Sequence, residues 1–163
     1  MKILAFFASM LLILVASYGQ ITQEELMKML NGEADKDYIG TVTLGLLQGG
    51  GSLIGGDLEF LIENKLGLQV GAGLIGYGAA INYHPKGGIR SSFLSLTYWH
   101  QGFKEYYTQS LLGPSYVFRG KKWFTAQIGL GFQLEEGPGA KQISTDLPPT
   151  QLIYSIGGYF PLK

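Results

Sequence analysis

Between Trp123 and Glu135 the side chains alternate without a break. Phe124, Ala126, Ile128, Leu130, Phe132 and Leu134 are apolar, while Trp123, Thr125, Gln127, Gly129, Gly131, Gln133 and Glu135 include no aliphatic side chain. A period of two sends successive side chains to opposite faces of an extended strand. Strands of soluble proteins commonly run about 5–6 residues. This stretch is longer than the roughly 9–11 that a tilted strand needs to cross a bilayer. One wholly apolar face and one small or polar face predict lipid on the first and an enclosed polar lumen on the second.

The same rhythm runs from Tyr38 onward. Val42, Leu44 and Leu46 oppose Thr41, Thr43 and Gly45. After a turn at Gln48–Ser52, Ile54, Leu58, Phe60 and Ile62 share the lipid face, with Asp57 and Glu59 opposite. Asn64-Lys65 reads as a tight turn; Leu66, Leu68, Val70, Ala72 and Leu74 then oppose Gly67, Gln69, Gly71 and Gly73. Lys65–His84 is either one very long strand or two that break near Ile75-Gly76. The break is adopted because bacterial single-chain barrels have even strand numbers; it sets Tyr77, Ala79, Ile81 and Tyr83 outward. A turn at His84–Gly88 precedes a fifth strand, Ile89–His100, with Leu94, Leu96 and Tyr98 outward. A loop at Gln101–Glu105 leads to a sixth strand, Tyr106–Phe118, whose facing is contested between Leu111 and Leu112. Arg119–Lys122 is a basic turn, Glu136–Pro149 the longest loop, and Gln151–Phe160 the last strand, with Leu152, Tyr154, Ile156 and Phe160 outward. The expected fold is all-β, an eight-stranded antiparallel up-and-down transmembrane barrel over residues 38–163.

The N-terminus reads differently. Met1-Lys2-Ile3, the apolar run Leu4–Ala16 and Ser17-Tyr18-Gly19-Gln20 have the pattern of a cleaved export signal. The run is shorter than the ~20 residues of a membrane anchor. The expected division is a signal peptide over 1–19, a periplasmic segment over 20–37 and the barrel. A short helix is expected between Ile21 and Leu30, with Thr22 and Glu25 at capping-box spacing and Asn31-Gly32 as its stop. Of 12 basic and 12 acidic side chains, losing Lys2 leaves 11 against 12 and a mature charge of −1. No basic excess favours nucleic acid. With no cysteine, stability must come from something other than disulfides, and a closed hydrogen-bond ladder supplies it.

Loop lengths set the expected orientation: short turns periplasmic, longer loops outside. Asn64-Lys65, Pro85–Gly88 and Arg119–Lys122 fall on one side, Gln101–Glu105 and Glu136–Pro149 on the other. Aromatic residues gather beside these turns. Tyr83, Tyr116, Phe118 and Trp123 flank the periplasmic set; Tyr98, Trp99, Phe103, Tyr106 and Tyr107 flank an outer loop. Such residues are expected to form girdles at headgroup level. The polar candidates for the lumen are Asp57, Glu59, Gln69, Gln127 and Gln133. Arg119 is a further inward candidate, placed near the other end from the two carboxylates, whose partner the sequence does not name.

In the signal-like ending Tyr18-Gly19-Gln20, the alternating strands between residues 38 and 134, and the closing Leu152–Phe160, the chain resembles the small eight-stranded outer-membrane β-barrels of Gram-negative bacteria, porin-like or outer-membrane-protein-A-like. Its Ser17–Gln20 ending resembles exported proteins of Bacteroidota. The resemblance implies residence in the cell outer membrane, contact with its lipids including lipopolysaccharide, and insertion by the barrel assembly machinery through the C-terminal strand. A monomer without cofactor or metal is expected. Family members commonly end on an aromatic residue; here Pro161-Leu162-Lys163 follow Phe160, leaving Tyr154 and Phe160 to carry that signal.

Little in the sequence points to catalysis. His84 and His100 lack the neighbours of a metal site. An enzyme acting on lipid A would need a Ser/His/acid set at the outer rim. Ser95, His100 and Glu105 come nearest, but Ser95 and His100 lie an odd number of residues apart and so leave opposite faces. Asp57 and Glu59 share a face and read as lumen lining before general acid and base. Gly71, Gly73, Gly129 and Gly131 sit within strands, where they make room inside a small barrel. Eight strands enclose a space just wide enough for side chains. The expected role is structural or interactive, with no wide pore and no enzymatic activity. A narrow porin-like pore, a lipid A-modifying enzyme and a soluble lipocalin-like barrel of reversed polarity remain the alternatives.

Overall fold

The computed structural model describes residues 38–142 and 147–163. The signal peptide and the helix expected within residues 20–37 lie outside the described residues. Eight strands follow in order: β1 (Gly40–Leu46), β2 (Ile54–Glu63), β3 (Leu66–Gly73), β4 (Gly76–Tyr83), β5 (Phe93–Gln101), β6 (Gln109–Arg119), β7 (Phe124–Glu136) and β8 (Thr150–Leu162). Each pairs antiparallel with the next, and β8 returns to β1 to close a barrel. Every strand thus has two neighbours and no edge remains.

The register sets the barrel's dimensions. From Val42 on β1 the partners run through Leu58, Val70, Ala79, Tyr98, Leu112 and Phe132 to Thr150. Leu46 faces Ile156, so Thr150, six residues earlier, stands level with position 52. One circuit therefore climbs from 42 to 52, a shear of ten residues. With a rise of about 3.3 Å per residue and strands about 4.8 Å apart, eight strands at that shear tilt by about 41° and close at a radius of about 8 Å. A ten-residue strand such as β2 then spans about 25 Å along the axis.

The break in Lys65–His84 falls at Leu74-Ile75, which gives the even count. Two strands begin later than expected. The fifth starts at Phe93, not Ile89. Gly87 and Gly88 take φ of 72° and 77° and reverse the chain; the amide of Gly88 donates to the Asn64 carbonyl at 2.9 Å. Ile89 then enters the lumen, fully buried. The sixth starts at Gln109, not Tyr106, because Lys104–Tyr106 forms a short 3-10 turn with Lys104 at φ 52°.

A bulge settles the facing of β6. Ser110 opposes Glu135 and Leu111 opposes Gln133, leaving Leu134 of β7 as the extra residue. Leu111 points inward with Trp99 and Ile153, and Leu112 faces out. Pro161 sits inside β8 opposite Thr41. The amide of Tyr159 donates toward β7, to the Trp123 carbonyl at 2.7 Å. The nitrogen of Pro161, two residues on, points the same way, past the start of β7, so its missing N–H takes nothing from the seam with β1.

Candidate membrane surface and filled lumen

The outer wall is apolar on every strand. Leu46, Ile54, Phe60, Ile62, Leu66, Leu68, Val70, Tyr77, Ile81, Leu94, Leu96, Tyr116, Phe118, Phe124, Ile128, Leu130, Phe132, Leu134, Leu152, Tyr154 and Ile156 are all exposed, and Leu58 stands half-buried in the same shell. Strands place them there by period alone, since each belongs to the face opposite the lumen. A soluble monomer seldom exposes an apolar patch beyond a few hundred Å²; here the patch circles the molecule.

Tyr83, Tyr116, Phe118 and Trp123 point outward at the rim where β1 begins and β8 ends. Tyr98 faces out near the opposite rim, half-buried. Trp99 does not join them. It is 3% exposed and packs inside against Leu111 and Ile153. Its neighbour Tyr98 faces out, so alternation sends Trp99 in, and closeness to a loop is no guide to facing.

The lumen is filled in layers. Toward the end where β1 begins and β8 ends, Glu59 is 1% exposed. Its Oε2 accepts from Arg119 Nη2 at 2.7 Å and from Thr41 Oγ1 at 3.5 Å. Its Oε1 accepts from Asn82 Nδ2 at 2.5 Å and lies 3.0 Å from His84 Nε2. Arg119 also donates through Nη1 to the Ile89 carbonyl and through Nη2 to Thr41 Oγ1 at 3.0 Å. Its guanidinium lies 4.7 Å from the Phe93 ring centre and 5.0 Å from that of Tyr159, within cation–π range. His84 Nδ1 is 3.0 Å from Ser91 Oγ. Asn82 bonds Gln69 Oε1 at 2.8 Å and accepts from Ser95 Oγ at 2.6 Å. Such hydrogen bonds are what make a buried ion pair tolerable; of the two side chains only Arg119 Nε finds no partner among the described residues.

Arg119 thus reaches Glu59 and does not lie near the other end. The sequence held the signal: Glu59 lies only five residues before the Asn64-Lys65 turn, in the half of β2 that ends at Arg119's own rim, and both occupy inward positions.

Above this layer the β1–β2 loop, Leu47–Leu53, folds back into the lumen. Leu47, Gly49, Gly50 and Gly51 all have positive φ, between 59° and 84°. The loop is inlaid in a trough left by glycines: a Cβ on Gly71 would strike Asp57, on Gly73 would strike Ser52, and on Gly76 would come 3.0 Å from the Gly50 carbonyl. Ser52, fully buried, locks the loop by donating to the Gly49 carbonyl at 3.2 Å and accepting from the Ile75 amide at 3.2 Å. Asp57 lies beneath, hydrogen-bonded by Gln69 and the Gly49 backbone. The space left among the loop, Asp57, Gln69, Thr97, Trp99 and Gln127 is ≈ 10 Å³, room for about one water.

Beyond it come Trp99, Leu111 and Ile153, then glutamines. Gln109 Nε2 donates to Gln101 Oε1 at 2.8 Å and Gln151 Oε1 at 2.9 Å. Gln127, which lines the cavity beneath that apolar layer, donates to Ser115 at 2.8 Å and accepts from Ser155 at 3.2 Å. Gln133 is half-buried, and its Nε2 finds no hydrogen-bond partner among the described residues.

At the rim opposite the start of β1, His100 lies on the outside wall, stacked between Tyr77 at 4.5 Å and Tyr107 at 4.2 Å. Ser95 lies in the lumen, so the wall of the barrel separates the two. Among the described residues no group of three or more His, Asp or Glu could hold a metal ion. Tyr107 Oη donates to Glu135 Oε2 at 3.3 Å; burial, and then the nearby carboxylate, push its phenol above the ordinary value of 10.0.

Comparison with protein-family models, curated proteins and solved structures finds no match.

Proposed function

We propose that the chain is an integral outer-membrane protein, exported through its cleaved N-terminal signal, that spans the bilayer as a monomeric barrel. Its role is structural or interactive, exercised through lipid contact and the outer loops, with no solute channel and no reaction of its own. One observation carries this reading: a closed eight-stranded ladder whose apolar wall is continuous and faces out, while Glu59, Arg119, Asp57 and the glutamines are enclosed. A water-soluble lipocalin-like barrel would have the reverse polarity. The axial span of about 25 Å matches the apolar band of outer-membrane barrels. Lipids including lipopolysaccharide are the proposed contacts of the wall, and the barrel assembly machinery the proposed partner of β8.

The test is fractionation with gel mobility before and after boiling. The protein is expected in the membrane fraction and in a fast-migrating form that slows on heating. Recovery in the aqueous fraction without detergent would sink the reading. Reconstituted liposomes should show no stepwise conductance; discrete steps would establish a narrow pore instead. A change in lipid A mass on expression, lost in His100→Ala, would establish an enzyme.

A further inference from the structure

The two rims of the barrel carry opposite charge. Lys65 lies in the β2–β3 turn, Lys86 and Arg90 in the β4–β5 loop, Lys121 and Lys122 in the β6–β7 turn, and Lys163 just past β8. Among the described residues Glu63 is the one side-chain carboxylate beside these six. The described side chains of the opposite rim are Lys104 against Glu105, Glu135 and Glu136. The net charges of these described side chains are +5 (six minus one) and −2 (one minus three). Between the rims, the outward strand positions carry no Asp, Glu, Lys or Arg.

The basic residues are spread round the ring. Each of the three turns at that rim contributes at least one, and the chain end supplies another. Lys65, Lys86, Lys121, Lys122 and Lys163 are exposed. Arg90 Nη2 donates to the Lys121 carbonyl at 2.6 Å, tying the β4–β5 loop to the β6–β7 turn. Directly beside this rim stand the exposed rings of Tyr83, Tyr116, Phe118, Trp123 and Phe124. Aromatic rings of this kind settle at headgroup level, which puts the ammonium groups where lipid phosphates lie, and lysine stems can extend along apolar surface to reach them.

We propose, resting on the membrane reading above, that this rim is a collar that gathers anionic phospholipids around the barrel in its own leaflet. A single soluble ligand would call for converging charges; charge in every turn around a circumference suits an annulus of headgroups. Each lipid phosphate takes charge-assisted hydrogen bonds from one or two lysines. The opposite rim, with its negative balance, exerts no such attraction.

The two tryptophans make the test direct. Trp123 is 59% exposed at the basic rim and Trp99 is 3% exposed in the lumen, so lipid-borne quenchers report on Trp123. The full chain without its signal is folded into vesicles of phosphatidylcholine with a minority of phosphatidylglycerol, one lipid or the other brominated. Brominated phosphatidylglycerol is expected to quench Trp123 as though enriched about five-fold over its bulk share, the factor that one basic residue near the membrane surface contributes. The excess should vanish in high salt and in the combined Lys65→Gln, Lys86→Gln, Lys121→Gln, Lys122→Gln variant. It should persist in Glu105→Gln and Glu135→Gln. If the combined variant does not fold, the Lys121→Gln, Lys122→Gln pair, nearest Trp123, must still lower the excess. Equal quenching by the two lipids, or an excess untouched by salt and charge removal, would overturn the collar while leaving the membrane barrel standing. Failure to insert into either vesicle would overturn both.

Discussion

Arg119 and Glu59 meet at 2.7 Å from opposite walls of the barrel, four strands apart on a ring of eight. Each is almost wholly screened from solvent. Removing one partner leaves an uncompensated charge inside the lumen. Arg119→Met is therefore expected to cost about 3–5 kcal/mol, and Glu59→Gln to be costly for the same reason. The pair Glu59→Gln with Arg119→Met should cost clearly less than the two singles added, because neither charge is then stranded. Urea unfolding of the folded barrel, followed by tryptophan emission, measures all three; strict additivity would refute the coupling.

Leu130 sits mid-strand on the outer wall of β7. If that wall meets acyl chains, Leu130→Arg should destabilise the folded barrel by about 2–4 kcal/mol in a bilayer. In water the same change on an exposed site would be close to neutral. Unfolding in vesicles supplies the figure, and a negligible effect there would contradict the proposed membrane contact.

Gly50 holds φ at 84°, and a Cβ there would collide with the backbone of Tyr77. Gly50→Ala should cost about 1–3 kcal/mol through strain alone, with the clash in addition. Gly120 is not in the positive-φ region, and the nearest atom to an added Cβ is the Phe124 carbonyl oxygen at 3.3 Å. Gly120→Ala should change stability by about 0.5 kcal/mol or less. The temperature at which each variant loses its fast gel form gives the comparison. Equal behaviour would mean that the inlaid loop does not hold the lumen shut.

Tyr107, outside the strands, has its phenol pushed above 10.0 by burial first and by Glu135 as well. A weak acid whose folded value is raised favours the fold in its neutral form. That contribution is whole below the unfolded value of about 10 and declines as pH climbs past it. Tyr107's contribution should therefore be constant across the neutral range, and its contact with Glu135 lost only in alkali. Tyr107→Phe should erase the alkaline change in the tyrosinate absorbance assigned to this ring; an unchanged titration would place that signal on another tyrosine.

Much of the fold was legible because a strand's period is insensitive to distant context. Phe124 through Leu134 and Ile54 through Ile62 announce their outward faces from sequence alone, and the even strand count followed from one break near Ile75. What escaped were events that depend on the third dimension. Ile89 reads as strand, yet the reversal at Gly87-Gly88 carries it into the lumen, where its carbonyl accepts from Arg119, thirty positions later. Trp99 sits close to a loop yet lies inside, as its alternation with the outward Tyr98 requires. The link between Glu59 and Arg119 needed barrel geometry, since no local pattern relates residues sixty positions apart. The trough in β3 and β4 was visible as glycines, but its occupant, the Gln48–Ser52 turn, was not.

The seam between β1 and β8 joins Gly40 to Leu162, the two extremes of the barrel's sequence, while every other pairing joins consecutive strands. Until that last union forms, an open eight-stranded sheet would offer raw borders on both sides, open to adhesion with other chains. Truncating the final strand should consequently yield aggregates and no smaller cylinder. Whatever shepherds the nascent polypeptide must guard the leading border until the trailing one arrives.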